Sequence, residues 1–109
     1  MPKRVCIIGL DCAEPSLLFE RWQDHLPNLK RFRNLGVYGE LESTMPPITV
    51  PAWMCMMTGK DPGTLGIYGF RNRSDHSYEK LHFANSTRVH EPTLWDILAQ
   101  SGKKTLAIG

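Results

Sequence analysis

The stretch Val5-Cys6-Ile7-Ile8-Gly9-Leu10-Asp11 decides the fold class of this chain. It is a continuous, partly β-branched apolar run that ends in a carboxylate, and this pattern is typical of a parallel strand buried on both faces. In open α/β sheets, ligand sites lie outside the carboxyl ends of the strands. We therefore expect Asp11 to leave the end of a central strand, where its carboxylate can hold a cation.

Two short helices should follow this strand. The first begins near Pro15, and the second begins near Pro27 and ends at Gly36, which can serve as a left-handed terminator. Residues 37–43 alternate loosely between apolar and polar side chains, which favours a half-exposed edge strand.

Thr49 opens a second informative segment, Thr49-Val50-Pro51-Ala52-Trp53. The prolines within residues 45–48 favour extended backbone, and the proline two positions after Thr49 can occupy a first helical turn. Either Thr49 or Val50 would then be the N-cap residue of a helix. A hydroxyl at a helix N-terminus can attack an electrophile whose negative charge the helix end favours. Together with Asp11, this segment suggests phosphoryl chemistry.

The rest of the chain continues the alternation of helices and strands. Residues 60–70 are rich in glycine and predict a long ordered loop, and residues 71–89 predict either a polar excursion or a short hairpin. A helix should start near Pro92 and end at Gly102, before a strand over residues 104–108. The expected fold is α/β, with a parallel sheet and helices on both faces, in a single partial domain over residues 1–109.

Composition excludes several classes of protein. With 109 residues and 41% apolar content the chain can bury a core, and its net charge of +2 does not favour a nucleic-acid surface. The apolar run near the N-terminus is about six residues long, against roughly 7–15 for a signal-peptide core and roughly 20 for a membrane span. Three cysteines with no zinc-like spacing favour a reducing compartment. We therefore expect a cytoplasmic protein without a membrane partner.

The order of the short motifs resembles a known family. Ile8-Gly9-Leu10-Asp11 precedes the Thr49 segment, and Thr58-Gly59, Pro62-Gly63 and Gly66-Ile67-Tyr68-Gly69-Phe70 follow it. This order resembles the start of the alkaline phosphatase superfamily, in its type I phosphodiesterase and nucleotide pyrophosphatase branch. The resemblance implies a hydrolase of phosphodiester or pyrophosphate bonds, acting on a small phosphodiester or nucleotide. It also implies that these residues are the N-terminal part of a longer alkaline-phosphatase-like catalytic domain.

The resemblance implies roles for two residues, and physical reasoning about the helix that begins near Pro51 suggests roles for two more. Asp11 would ligate one of two divalent metal ions, which are zinc or alternatively manganese or magnesium, and Thr49 would be the nucleophile and also bind metal. Backbone N–H groups near Val50 could bind phosphate oxygens, and Trp53 could either stack on a base or sugar or lie in the core. The remaining ligands belong to later sequence in the family. The second metal site is therefore not encoded here, and the 109 residues alone should be inactive.

Other interpretations stay open at this point. Many nucleotide pyrophosphatases have Asn at the position of Ala52, so the substrate preference is undetermined. The chain could instead be a non-catalytic α/β interaction or phosphate-binding module, or a phosphomonoesterase or phosphoglycerate-mutase-like member. An unpaired strand over residues 104–108 would allow an oligomer. Cys12 and Cys55 lack the sequence context of sulfatases, so we expect both to be small buried hydrophobes. Three of the four histidines, His76, His82 and His90, are expected to be solvated.

Overall fold

The computed structural model describes residues 4–109, and the chain divides into two compact units, Met1–Glu42 and Ser43–Gly109. The first unit is helical. A helical turn at residues 15–16 continues as a π-helix over Leu17–Arg21, in which the Trp22 amide donates to the Leu17 carbonyl at 2.9 Å. Helix α1 covers Pro27–Leu35. Both helices expected in this part of the chain are therefore present, although the first has π geometry.

The end of α1 differs from the prediction. Gly36 has φ −132° and ψ −157°, which is extended backbone that any residue can adopt, so the predicted left-handed terminator is wrong. The predicted edge strand is also wrong, because residues 37–43 form no strand pairing with any part of the described chain. Val37 and Leu41 are 101% and 88% exposed. Strand geometry needs a neighbouring strand to accept its hydrogen bonds, and alternation alone does not supply one.

The second unit contains three helices and a hairpin. Its elements are α2 (Thr49–Thr58), α3 (Pro62–Leu65), β1 (Arg71–Arg73), β2 (Leu81–Phe83), a 3₁₀ turn (Ser86–Arg88) and α4 (Leu94–Gln100). Strands β1 and β2 are antiparallel, and their register pairs Asn72 with His82. Of the two alternatives for residues 71–89, the short hairpin is therefore correct. The segment predicted as a continuous loop over residues 60–70 contains the short helix α3.

Helix α4 follows local rules at both ends. Thr93 is the N-cap, and it forms a capping box with Asp96. At the other end Gly102 has φ 67°, its amide donates to Ala99, and the Lys103 amide donates to the carbonyl five residues back, both at 2.9 Å. These two bonds form a Schellman motif, which confirms Gly102 as the terminator.

The sheet is smaller than expected and has a different orientation. Within residues 4–109 the sheet consists of β1 and β2 alone, so helices combine with a two-stranded antiparallel sheet, and the expected parallel pairing is not observed. Residues 4–10 and 104–108 carry no strand pairing, and Ile8 and Leu106 are 77% and 86% exposed. A buried parallel strand requires partners on its edges and layers on its faces, and the described residues supply neither.

The core of the second unit is small and lies beside α2. Ile67 and Pro51 are its largest fully buried residues, and Leu65 is also buried. Pro51 comes from the first turn of α2, whereas Leu65 and Ile67 flank the end of α3. These buried core residues therefore come from the start of α2 and from the end of α3 and the segment after it, and helices α2 and α3 are in contact. Among the described helices, none has the length and apolar character needed to cross a bilayer.

Candidate active site

The start of α2 places Thr49 at the first helical position. Ile48 is the N-cap, with φ −119° and ψ 145°, and its carbonyl accepts the first intrahelical bond from the Ala52 amide at 3.1 Å. The prediction that Thr49 or Val50 is the N-cap is therefore wrong. The extended backbone that the preceding prolines favour ends one residue earlier than expected, so the half-buried Thr49 is already helical.

The N-terminus of α2 keeps backbone donors unused. The amides of Thr49 and Val50 have no backbone acceptor within residues 4–109, and Pro51 has no N–H to donate. Ile48 provides no side-chain cap, and the first turn contains no acidic residue. Two N–H groups and the positive end of the helix dipole therefore lie next to the Thr49 hydroxyl, and this arrangement favours an anion.

The rest of α2 holds this end in place. Pro51 is fully buried in the first turn, and at the other end the Thr58 hydroxyl donates to the Met54 carbonyl at 2.7 Å. Gly59 then ends the helix with φ 68°, a conformation that favours glycine. Trp53 is half-buried on the same helix. A half-buried Trp53 could pack in the core, and its ring is also partly accessible to a ligand. The predicted contact of Trp53 with substrate therefore stays a prediction.

A loop anchored by Asn72 lies against the start of α2. The Asn72 side chain is buried, its Oδ1 accepts from the Tyr68 amide at 2.7 Å, and its Nδ2 donates to the Gly69 carbonyl at 2.9 Å. A Cβ on Gly69 would lie 3.8 Å from the Ile48 Cδ1 atom, so this loop packs beside the residue that precedes Thr49. Asn72 thus shapes the surroundings of the candidate nucleophile without touching it.

The same loop borders a cleft of about 370 Å³. It is lined by Gly66, Tyr68, Arg71, Asn72 and Arg73. Arg71 and Arg73 are exposed on one face of β1, whereas Asn72 between them points into the unit. The sequence analysis did not single out these two arginines. The alternation of Arg-Asn-Arg was the available signal, since period two places the outer residues on one face of a strand.

Two carboxylates, Asp11 and Glu14, follow the apolar run at the start of the chain. Glu14 caps the helical segment that follows it, because its carboxylate accepts from the hydroxyl and amide of Ser16 and from the Leu17 amide. The Ser16 hydroxyl bond is the main cause that lowers the pKa of Glu14 below its usual value, and the Ser16 amide adds to it. Asp11 lies in an exposed turn, and its carboxylate makes no hydrogen bond within the described chain. Glu14 is therefore engaged in its own helical segment, and the ligand role expected for Asp11 stays a prediction.

Cys12, the residue after Asp11, departs from expectation. It has φ 58°, in the left-handed region that few non-glycine residues adopt, and it is exposed. The prediction that Cys12 is a buried hydrophobe is therefore wrong, because the turn that ends the apolar run faces solvent. Strained backbone of this kind is enriched at functional sites, although it occurs in ordinary turns as well.

Residues 5–109 match the family model for type I phosphodiesterase / nucleotide pyrophosphatase. The chain belongs to this family. The match confirms the resemblance drawn from the motifs around Asp11 and Thr49. Type I phosphodiesterases hydrolyse phosphodiester or pyrophosphate bonds in small or nucleotide substrates, and they are generally metal-dependent. Searches of curated proteins and of solved structures gave no match.

The donor set for a metal in this phosphodiesterase family member is incomplete. Within residues 4–109 no group of three His, Cys, Asp or Glu side chains converges on one point. Asp11 belongs to the first unit and Thr49 to the second, so the expectation that they bind one cation stays a prediction. The three histidines of the second unit do not complete a donor set: His76 and His90 are exposed, and the Nδ1 atom of His82 lies 3.3 Å from a serine hydroxyl.

Two other reactive groups near α2 have structural explanations. Asp61 caps α3, and its bonds to the hydroxyl and then the amide of Thr64 lower its pKa. Burial raises the pKa of the Cys55 thiol, and the negative charge of Asp61 adds to the effect. A thiol with a raised pKa is a poor nucleophile, because the thiolate is the reactive form. Asp61 is therefore explained as a helix cap, and Cys55 is a poor candidate nucleophile.

Proposed function

We propose that this protein is a metal-dependent hydrolase of phosphodiester or pyrophosphate bonds, with Thr49 as its nucleophile and Asp11 as a metal ligand. The observation that carries the proposal is the open N-terminus of α2. There a half-buried threonine hydroxyl adjoins two backbone N–H groups without acceptors in the described chain. Membership of the type I phosphodiesterase family supports the reaction class.

The proposed reaction divides between the side chain and the backbone. The Thr49 hydroxyl loses its proton to solvent and attacks phosphorus, a new Oγ–P bond forms, and the bond to the leaving oxygen breaks. The leaving oxygen takes up a proton from water. The amides of Thr49 and Val50 donate to the nonbridging oxygens, on which negative charge accumulates during the attack. Water then attacks the phosphorus of this covalent intermediate, which still carries the remaining substituent of the substrate; the Oγ–P bond breaks, the phosphorylated product leaves, and Thr49 regains its hydroxyl proton. Trp53 is the proposed contact for a base or sugar on the substrate.

The metal sites follow from the types of donor present. A carboxylate without hydrogen-bond partners and a threonine hydroxyl are oxygen donors that suit a divalent cation. Asp11 and Thr49 would contribute these donors, and bound cations supply the charge that makes a hydroxyl acidic enough to react. Zinc is the proposed metal, with manganese or magnesium as alternatives. Further ligands are needed for two complete sites, so the 109 residues alone should lack activity.

The finer fold assignment is part of the same proposal. The exposed apolar runs at residues 5–10 and 104–108 have the composition of parallel strands, and in the proposed domain they join a larger sheet with helices on both faces. We propose that residues 1–109 form one part of that catalytic domain. The run at 104–108 could alternatively pair across an oligomer. The absence of zinc-like or paired cysteine spacing supports a cytoplasmic location.

Replacing Thr49 with Ala tests the nucleophile in the complete protein. We expect turnover of bis(4-nitrophenyl) phosphate to fall by roughly 10⁴-fold or more, as when a covalent nucleophile is removed from other hydrolases. Metal content, measured by elemental analysis, should stay largely intact because Asp11 and the other ligands remain. Thr49→Ser should retain measurable turnover, since it keeps the hydroxyl.

Thr87→Ala is the matched control. Thr87 lies in the exposed 3₁₀ turn, and its hydroxyl bonds to Asn85. This variant removes the same atoms from the same unit and should keep normal turnover. Unchanged hydrolysis by Thr49→Ala would refute the nucleophile, and an equal loss in Thr87→Ala would show that the effect is not specific.

A further inference from the structure

We infer that Thr44 is a positioning residue for the candidate nucleophile, because its hydroxyl braces the turn that leads into α2. Thr44 and Thr49 belong to the same unit of the chain. The inference rests on the proposed function, and it adds a residue that takes no part in the proposed bond changes. The effect of Thr44 on turnover passes through the backbone between the two threonines.

Two hydrogen bonds converge on the carbonyl of Pro46. The Thr44 hydroxyl donates to this oxygen at 2.9 Å, and the Ile48 amide donates to it at 2.9 Å as well. A backbone carbonyl has two lone pairs, so one oxygen can accept both bonds. The bond from Ile48 closes a three-residue turn around Pro47, and the bond from Thr44 holds the same oxygen from the preceding side of the chain.

These bonds restrain the backbone torsion that proline leaves free. The rings of Pro46 and Pro47 fix φ at about −65° but do not fix ψ, and the ψ of Pro46 sets the direction in which its carbonyl points. Neither proline has an N–H to donate. Between Thr44 and Thr49, the backbone donors are therefore the amides of residues 45 and 48 alone. The side-chain hydroxyl of Thr44 supplies the second restraint on the Pro46 carbonyl.

The restrained turn is coupled directly to the first turn of α2. Ile48 is the N-cap of this helix, and while its amide donates to Pro46, its carbonyl accepts from the Ala52 amide at 3.1 Å. No side chain caps α2, so a capping bond does not fix the direction in which the chain enters the helix. The bonds to Pro46 fix it instead. Because Thr49 is the next residue, a rotated Pro46 carbonyl would displace the Thr49 hydroxyl.

The surroundings of the Thr44 hydroxyl favour a lasting bond. Thr44 and Pro46 are half-buried, and the hydrogen bond between them is partly buried. Removing the hydroxyl takes away a partner of the Pro46 carbonyl in a place where water replaces it less readily than at the surface. A small displacement of a reacting group is enough to slow a reaction that depends on orientation. Thr44 is thus placed to affect the rate of attack by Thr49.

Thr44→Val tests this role in the complete protein, because valine keeps the branched shape of threonine and removes the hydroxyl. Single-turnover hydrolysis of bis(4-nitrophenyl) phosphate is followed with the enzyme in excess. The rate constant at saturating enzyme then reports the chemical step in folded molecules and not the fraction of molecules that is folded. We expect this rate constant to fall about five- to tenfold, the factor that corresponds to one net hydrogen bond. The enzyme concentration at half-maximal rate should stay within about twofold, because the lost bond acts on the attacking group and not on substrate binding.

Two variants serve as comparisons. Thr44→Ser restores the hydroxyl and should stay within about twofold of the wild-type rate constant. Ser43→Ala is the matched control, since it removes a hydroxyl from the exposed neighbouring residue, and it should keep the wild-type rate constant. Circular dichroism checks that each variant is folded, and Thr44→Ala, which should show the same slowing, replaces the valine variant if that one does not fold. A wild-type rate constant in the variants without the Thr44 hydroxyl, or equal slowing in Ser43→Ala, would overturn the inference.

Hydrogen exchange provides a readout that does not depend on activity. Pro46 and Pro47 carry no amide hydrogen, so a peptide over residues 44–48 reports mainly on the amides of Met45 and Ile48. The Ile48 amide should exchange about five- to tenfold faster in Thr44→Val, because the carbonyl to which it donates is no longer held from its other side. Exchange in Ser43→Ala should match the wild type.

The nucleophile and the positioning residue fail in different ways. If Thr49→Ala abolishes turnover while Thr44→Val changes neither the rate constant nor the exchange of Ile48, the positioning role is wrong and the nucleophile stands. If Thr49→Ala keeps turnover, the nucleophile is wrong and the positioning role falls with it. Faster exchange of Ile48 in Thr44→Val would in that case show that the Thr44 bond serves the structure of α2 alone.

Discussion

Asn72→Ala should release the loop that lies beside the candidate nucleophile. Asn72 is 6% exposed and makes two hydrogen bonds, from the Tyr68 amide at 2.7 Å and to the Gly69 carbonyl at 2.9 Å. A net hydrogen bond contributes about 1 kcal/mol, and a buried polar group left without a partner costs about 1–3 kcal/mol. Because the truncation leaves the Tyr68 amide and the Gly69 carbonyl without hydrogen-bond partners, we expect local stability to fall by about 2–4 kcal/mol.

Hydrogen exchange measures this loss where it occurs. A loss of about 2–4 kcal/mol corresponds to roughly 30- to 1000-fold faster exchange of the Tyr68 amide when opening is local. Mass spectrometry of a peptide that covers residues 66–73 of the complete protein would report it. If the loop positions the start of α2, turnover should fall as well, although Asn72 touches no proposed reacting atom.

Asn85→Ala provides the comparison for this experiment. Asn85 is exposed, and its side chain accepts from the Thr87 amide at 3.0 Å, so its truncation removes an asparagine without burying unpaired groups. Exchange in residues 66–73 should be unaffected. Equal protection of the Tyr68 amide in Asn72→Ala and Asn85→Ala would refute the anchoring role.

Two further predictions concern the ends of helices. Thr93→Ala should destabilise α4 by about 1–2 kcal/mol, the usual cost of losing an N-cap, as measured by urea unfolding. The pKa of Asp96 is held below 3.8, first by the Thr93 hydroxyl and then by its amide. The stabilisation that the ionised Asp96 gives through Thr93 is therefore complete above pH 3.8 and is lost as the pH falls through the lowered pKa. The difference in unfolding free energy between wild type and Thr93→Ala should therefore narrow in acid. A difference that does not change with pH would contradict this linkage. Gly59 has φ 68°, so Gly59→Ala should lower the free energy of unfolding by about 1 kcal/mol. Gly39 has no left-handed φ, and a Cβ added there meets no atom within 4 Å, so Gly39→Ala should change the thermal unfolding midpoint little. Equal shifts of the midpoint in the two variants would exclude a backbone cause.

The parts of the fold that local rules determine were predicted from the sequence. Helix α4 and its end at Gly102 follow from apolar periodicity and from the freedom of glycine at positive φ. The hairpin over residues 71–89 was one of two alternatives, because a polar segment with few apolar residues has no clear period. The predicted terminator at Gly36 failed since glycine permits the left-handed conformation but does not require it.

The strand predictions depended on partners that sequence patterns do not identify. Residues 5–10 and 104–108 have strand composition, but a strand exists only when another segment accepts its hydrogen bonds. Their apolar side chains are exposed in the described structure, among them Val5 at 85% and Ile108 at 90%. An apolar run therefore predicts that its side chains are buried more safely than it predicts which strand it pairs with. Within residues 4–109 these two runs are neither buried nor paired.

The failed N-cap prediction at Thr49 is the most informative difference. Threonine is favoured as an N-cap because its hydroxyl satisfies a backbone donor at the helix end. Here an isoleucine occupies that position, no side chain caps α2, and the threonine follows one residue later. The helix therefore begins without its usual stabilising bond, while the hydroxyl and two amides stay available to an anion. A local rule broken at the position of a proposed nucleophile, at a cost of about 1 kcal/mol to the helix, is what a site selected for binding rather than stability would display.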